Sequence, residues 1–403
     1  MWNLYGKKYD LTAFARFHPG GAEIIEKTKD LDDCTALFES YHAFSEMDKI
    51  RLSLEKYAIH LDDDSVITYN TDFTTYRRLI EKVKEIFPDR ASLKAPPSWY
   101  MWNGISLVVF VCSLFYAIRS HNLFLKCVIA IVSATSETSL LFNVLHDGSH
   151  YAISNSPQLN NAMSKMANSW FLWNHSLWFY HHIYYHHSFT SGDNDPDKLL
   201  YDVHGLKNKL WHENLFEPIV NILYCCFPGQ APMQTIWYIY SSTIHQLSFT
   251  QTDFLKMHNI VHYDNVSIGI MFCKLCMLFE IGLLPAIVFI TTESTLYYIN
   301  IFANHHLHET HENHYDGGDW AKRQICNSGN FMNKNQWWTV AFSGINHQIE
   351  HHLFPNICGH HYTVIAPIVR KFCKENDLPY VHHDRFIDAY RSFIKGIHMK
   401  KEI

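Results

Sequence analysis

A chain of 403 residues is longer than one ordinary domain, which favours a small module joined to a larger body. Lys and Arg (33) nearly balance Asp and Glu (39), and the net charge of −6 gives no reason to expect nucleic acid or another polyanion as a partner. Histidine is the outlier, with 29 residues in tight clusters that point to metal. Ten cysteines lie scattered without a framework. Cys225-Cys226 and Cys273-Lys274-Leu275-Cys276 read as small apolar residues, since one CxxC lacks the ligand count of a structural zinc site.

In chain order, residues 1–60 mix charge with short apolar runs, as in a small soluble domain, and Lys7-Lys8 is not followed by the apolar run of a secretory signal. The N-terminus is therefore expected in the cytosol. Residues 61–98 open acidic (Asp62-Asp63-Asp64), show a helical charge pattern from Arg77 to Lys84 and close at Pro96-Pro97, which predicts a linker with a connecting helix. Trp99–Ile118 is long and apolar enough to cross a bilayer, and Trp99, Tyr100 and Trp102 suit its interface. Leu123–Leu145 predicts a second span, with Glu137 inside it and Arg119-Ser120-His121-Asn122 as the hinge. Trp237–Phe249 is too short and polar to cross and reads as an interfacial helix. Ile268–Phe302 holds a second hairpin if broken at Pro285, although Lys274, Glu280 and Glu293 are costly at bilayer centre. If each hairpin returns the chain to the side it left, every histidine cluster shares that side with the N-terminal domain.

Two motifs stand out in that domain. His18-Pro19-Gly20-Gly21 sets a tight turn from which an imidazole projects, and Phe38-Glu39-Ser40-Tyr41-His42 supplies a second histidine beside a ring that can wall a flat macrocycle. Residues 2–58 resemble cytochrome b5, in particular the b5 domains fused to front-end desaturases. The resemblance implies heme b held axially by His18 and His42. The chain starts later than a typical b5 domain, so a first edge strand is expected to be missing or replaced.

The larger body carries histidines at ligand spacing. His146 and His150 are four apart, which puts both on one helical face, and His182, His186 and His187 repeat the device at spacings of four and five. An acidic, turn-rich stretch follows at Asp193-Asn194-Asp195-Pro196-Asp197. His305 ends the last span, and Gln348-Ile349-Glu350-His351-His352 lies near the C-terminus. One such pair usually means a solvated helix face; several in series, each at an expected membrane edge, point to a shared metal site. Spacing does not name the metal, since imidazole suits iron, zinc and copper alike. A heme donor on the same chain favours iron, because zinc has no redox chemistry.

Over residues 99–370 the chain is similar to the membrane fatty acid desaturase and hydroxylase superfamily, and its QIEHH segment takes the form seen in front-end desaturases. Insect cytochrome b5-related proteins, a desaturase-like group, also look close. The resemblance implies two iron ions held by His146, His150, His182, His186, His187, His305, His351 and His352, with Gln348 where other desaturases have histidine. No separate catalytic acid or base is assigned. His181 and His347 are ambiguous neighbours, and His306, His308, His311 and His314 read as a polar loop. Asp147, Asp195, Asp197 and Glu350 are candidates to hold ring tautomers, and Glu137 is either a functional acid or the lining of a buried pocket.

The expected fold class is thus a small α+β cytochrome b5-like domain (1–60) and a linker (61–98), then an all-α membrane domain (99–370). That domain has about four transmembrane helices and a cytosolic histidine-rich cap, and a cytosolic tail (371–403) follows. The implied function is oxygen-dependent insertion of a cis double bond into a fatty acyl chain, with electrons from cytochrome b5 reductase relayed through the heme. The implied setting is multi-pass, in the endoplasmic reticulum membrane, with the N-terminus and histidine boxes cytosolic. A lipid hydroxylase, a sphingolipid desaturase and a non-enzymatic, membrane-anchored heme carrier remain as alternatives.

Overall fold

The computed structural model describes residues 1–59, 71–195, 197, 264–301 and 303–398. The acidic opening of the linker, Pro196, Cys225-Cys226 and the expected interfacial helix at Trp237–Phe249 lie outside them.

The chain opens on a small antiparallel sheet, β1 (Trp2–Leu4), β2 (Lys7–Tyr9) and β3 (Ala58–Ile59), in the order β1-β2-β3, so Trp2–Leu4 itself forms one edge. Alternation sends Trp2, Leu4 and Tyr9 inward, where they meet Leu11, Leu31, Leu37 and Leu54. Helices α1 (Ala22–Lys27), α2 (Thr35–His42) and α3 (Met47–Leu54) fill the space between β2 and β3.

The connecting helix expected in the linker is α4 (Thr74–Lys84). Its buried residues Tyr76, Leu79, Ile80 and Val83 recur at helical spacing, and Tyr76 Oη donates to the Leu353 carbonyl at 2.7 Å, directly after His351 and His352. The linker is therefore clamped onto the larger body. Arg77 on its outer face lies 2.6 Å from the buried carboxylate of Glu39, which Arg51 also meets at 2.6 Å, so one acid ties α2, α3 and α4 together.

Helices α5 (Pro97–Arg119) and α6 (Leu123–Ser149) form the first hairpin, and both are long and apolar enough to cross a membrane. They bury differently. Met101, Ile105, Val108, Val111 and Phe115 of α5 point outward, which water would penalise and lipid would not, whereas α6 is largely enclosed. Helix α7 (Pro157–Trp170) packs along α6. The second hairpin is α8 (Asn265–Ile281) and α9 (Leu283–Ile301), and its break falls at Gly282, not at the expected Pro285. Gly282 takes φ of 93°, which other residues resist. Pro285 sits in the first turn of α9, where a missing N–H costs no helical hydrogen bond. The charges expected to burden these helices meet each other: Lys274 Nζ lies 2.8 Å from Glu293 and 3.1 Å from Glu137 of α6, and Trp170 Nε1 donates to Glu137. Glu280 stays exposed at the end of α8.

The cap is built from short helices, among them α10 (Trp320–Cys326) and α11 (Gln348–Leu353), then α12 (Tyr362–Glu375) and α13 (Phe386–His398). Residues 371–398 belong to this packed body: His382–His383 pairs in parallel with Asn330–Phe331, and Ala389 and Phe393 pack on Ala303 and Leu307.

Candidate functional site

In the N-terminal unit, the His18 and His42 rings face each other across a cavity of about 570 Å³, their centroids 6.0 Å apart. Each ring is held by its far nitrogen: His18 Nδ1 lies 3.1 Å from the Gly21 carbonyl and His42 Nδ1 2.8 Å from the Phe38 carbonyl. Those carbonyls accept hydrogen bonds from Nδ1–H, which leaves the lone pair of each ring on Nε2. Two imidazoles bound from opposite sides to one iron, at about 2 Å each, place their rings about 6 Å apart, so the residues fit a bis-histidine heme. The glycines of the turn are required sterically. A Cβ on Gly20 would sit 2.6 Å from His18 Cε1, and Gly21 takes φ of 90°. Burial pushes the His42 pKa down to about 4 and lowers that of His18, which keeps both rings neutral and able to bind metal.

The second site lies at the cap end of α6. His146 and His150 project from the last turn and the C-cap of that helix. The segment Phe179–His186 is a π-helix. Bonding i→i+5 widens its turn to about four and a half residues, and this is why spacings of both four and five bring His182, His186 and His187 to one side. In α11, His351 and His352 diverge by one step of the helix, and the loop before it is pinned by Gly344 (φ 79°), where a Cβ would stand 2.6 Å from Gly359 Cα.

These elements bring together two adjoining groups able to hold a metal: His146, His150, His182 and His351, and beside them His186, His305 and His352. His187 shares a third grouping with His351 and His352 and so sits between the two. His146 Nε2 is 3.2 Å from His351 Nε2, and His150 Nε2 is 3.1 Å from His182 Nε2, close to the roughly 3–4 Å between nitrogens bound to one ion at about 2.1 Å. Every one of these rings is buried. Both nitrogens of His187 and the Nε2 of His352 have no hydrogen-bond partner among the described residues, a costly state for buried polar atoms that a metal would relieve by taking one lone pair from each ring. Burial and mutual repulsion hold His150, His182, His187, His351 and His352 well below the ordinary imidazole pKa and push His305 down to about 3. Neutral imidazole donors of this number suit iron.

The fatty acid desaturase family matches residues 121–384, which is most of the chain and contains every histidine of these groups. The chain belongs to that family. The cytochrome b5-like heme/steroid binding domain matches residues 2–62, so the desaturase carries a b5 domain at its N-terminus. Among similar proteins, an acyl-lipid (8-3)-desaturase of Mortierella alpina is 25% identical over 98% of this chain and 92% of its own length. An acyl-lipid (8-3)-desaturase of Physcomitrium patens is 26% identical over 99% and 87%. The Delta(5) fatty acid desaturase A of Dictyostelium discoideum is 26% identical over 98% and 89%. The protein is accordingly a membrane-bound oxidoreductase that desaturates fatty acyl chains, with heme implied by the b5 domain and iron by the desaturase family and its histidines.

The remaining sequence candidates fall into place around this desaturase site. Gln348 donates from Nε2 to His305 Nε2 at 2.9 Å and so touches the second group. His347 turns away to Thr339 (2.9 Å), and His181 faces Asp197 (2.6 Å). His308 pairs with Glu312, and among the described residues His306, His311 and His314 join none of the metal-competent groups. Of the four acids proposed to hold ring tautomers, Asp195 and Asp197 do so for His186, at 3.0 and 3.3 Å from Nδ1. Burial opposes a charge on that ring, but the two carboxylates prevail and carry its pKa up to about 9. Asp147 instead accepts from Trp99 Nε1 at 2.7 Å, tying α5 to α6, and Glu350 accepts from Asn330 and Tyr380, each at 2.8 Å, anchoring α11.

Three supporting residues escaped the sequence reading. Gln324 Oε1 accepts from His352 Nδ1 at 2.8 Å, the Asn327 carbonyl accepts from His305 Nδ1 at 2.8 Å, and Tyr362 Oη lies 3.3 Å from His351 Nδ1. They orient rings from positions distant in sequence. A polar residue on the inner face of a short helix carries no signal of its own.

The depressed histidines predict how the metal-free protein responds to acid. Folded, these rings stay neutral; unfolded, they take up protons below about pH 6.5. The unfolded chain binds more protons there, so their contribution to stability is present above about pH 6.5 and declines as pH falls. His186 acts in the opposite sense, its contribution present below about pH 6.5 and lost as pH rises through about 9. The thermal midpoint of chelator-treated protein in detergent is expected to fall steadily from about pH 7 to about pH 5; a level midpoint would contradict the assignment.

Proposed function

We propose that this desaturase inserts a cis double bond into an acyl chain carried on a membrane lipid. Electrons would pass singly from a b5-type reductase through heme between His18 and His42 to two iron ions held by the histidine groups. The observation that carries this reading is the pair of adjoining, buried, all-imidazole groups meeting at His351 and His187. The acyl-lipid form of the substrate is taken from the names of the relatives.

Bound in those groups, iron would supply oxygen activation and removal of hydrogen from the two carbons, the hard part of the reaction. The balance is one O2, two electrons, two protons and the two hydrogens of a –CH2–CH2– unit, giving –CH=CH– and two waters. The protein's own tasks are narrower. His146, His150, His182 and His351 would hold one ion and His186, His305 and His352 the other, with His187 at their junction and Gln348 against His305. Asp195 and Asp197 face His186 Nδ1 and hold its proton there, so that the proton displaced on metal binding would be the one on Nε2. A small cleft of about 50 Å³, lined by His146, His182, His186, His305 and Asp197 together with the apolar Phe142, Tyr297, Ile301 and Ile345, is where the reacting carbons would lie. Such apolar walls fix which carbons meet the metal and exclude water.

For the membrane we read both hairpins as spanning, giving four helices. Support for the second comes from its outward Ile268, Phe272, Leu275, Phe279 and Ile287, and from the mutual neutralisation of Lys274 and Glu293. The reading divides the chain into a b5 domain (1–60), a linker (61–98), the membrane domain (99–370) and a C-terminal segment (371–403). It sets the N-terminus and the histidines on the cytosolic face of the endoplasmic reticulum.

The test is expression in a host that makes no polyunsaturated lipids, with fatty acids and sphingoid bases profiled by mass spectrometry. A new acyl product lighter by two hydrogens is expected, and His18→Ala should reduce it at least about 10-fold by removing an axial heme ligand. Unchanged lipids in the presence of fully metallated protein would overturn the reading. A product heavier by one oxygen would replace it with hydroxylation.

A further inference from the structure

Tyr41 stands between the two redox sites. It precedes His42 at the end of α2, lines the heme cavity and lies 2.7 Å from His150 Nδ1 through its Oη, with the two rings within 18° of parallel. Its carbonyl accepts from Asn356 Nδ2 at 3.2 Å, four residues beyond His352, so the position is fixed from both sides. The other nitrogen of His150 faces His182 within the first metal-competent group. With Nε2 committed there, Nδ1 carries the ring proton and donates it to Tyr41 Oη. Covalent bonds and one hydrogen bond therefore run without a gap from the His42 imidazole, through the 41–42 backbone and the Tyr41 ring, to the His150 imidazole.

We propose that Tyr41 is a positioning residue for electron transfer, bridging the b5 domain to the metal group that contains His150 and fixing the orientation of that ring. The inference rests on the reading of His42 and His150 as ligands given above. In each crossing one ferrous heme held by His18 and His42 would be oxidised to ferric and one metal ion held by the histidine groups would accept the electron; two crossings would serve each O2 and each double bond formed. Tyr41 itself is neither oxidised nor reduced. The same contact also docks the two domains, alongside the Arg77–Glu39 ion pair and the hydrogen bond from Tyr184 Oη to the Asp33 carbonyl at 3.1 Å.

The test uses full-length protein loaded with heme and iron, the heme reduced without oxygen and then mixed with oxygen and acyl lipid while the heme absorbance is followed. His351→Ala gives the baseline for heme oxidation that bypasses the metal site. Above that baseline, Tyr41→Phe is expected to slow heme oxidation about 10-fold or more, the usual effect of losing an outer hydrogen bond to a metal-binding histidine. Heme content, iron content, heme potential and the rate of heme reduction by reductase should be unchanged. Arg77→Met, which loosens docking away from the bridge, should slow it far less. Equal rates for wild type and Tyr41→Phe, with His351→Ala slow, would overturn the bridge alone. Equal slowing by Arg77→Met and Tyr41→Phe would replace it with a docking role. A wild type no faster than His351→Ala would overturn the ligand reading and the bridge with it.

Discussion

Replacing His351 with alanine should abolish double-bond formation while leaving the heme in place. His351 belongs to the first group, 3.2 Å from His146, and also to the grouping with His187 and His352 that links it to the second. Its loss takes a donor from the first group and opens the wall between the two. Losing an outer partner of a metal-binding histidine costs about 10–100-fold in metal affinity or activity, so losing this inner one should cost more than about 100-fold in product. Iron analysis of the purified variant should show at least one ion missing per chain, with the heme spectrum unchanged because His18 and His42 lie in another cavity. Product at near wild-type levels would exclude His351 from the site.

The second large effect lies inside the membrane domain, where α6, α8 and α9 meet. Lys274→Met removes the one cationic partner, among the described residues, of two buried acids, Glu137 and Glu293, on helices α6 and α9. Breaking a buried ion pair from one side costs about 3–5 kcal/mol, because the carboxylates left behind must stay unpaired or take up protons. The expected result is a sharply lower thermal midpoint and little folded protein in detergent. Replacing the whole triad, Lys274→Met with Glu137→Gln and Glu293→Gln, should restore most of that loss, since swapping a complete buried ion group is often neutral. If the triple variant were as unstable as the single, the triad's role would extend beyond mutual neutralisation.

Much of the site was legible in the sequence because its signals are local. The HPGG turn, the four-residue spacing of His146 and His150 and the QIEHH segment each announce a projecting imidazole within a few residues. The first apolar hairpin was equally plain, since bilayer length is a property of a single stretch. Less local features were misread or missed. The break of the second hairpin was assigned to Pro285, the stronger helix breaker by composition, yet the first turn of α9 accommodates that proline and Gly282 makes the bend. Glu137 could not be interpreted alone, because its partner lies 137 residues further on, on another helix.

By itself the sequence determined the b5 unit followed by a desaturase body, pointed to heme and iron, and named which histidines were candidates, because short motifs encode the direction of a side chain. Only the tertiary structure decided which candidates meet. It sorted His146, His150, His182 and His351 from His186, His305 and His352, turned His181 and His347 away, and assigned Asp195 and Asp197 but not Asp147 or Glu350 to a metal-site ring. It also set Tyr41 against His150, across 109 residues of sequence. The physical reason is that a metal site is a coincidence of atoms within a few ångströms, and packing between distant elements brings that coincidence about.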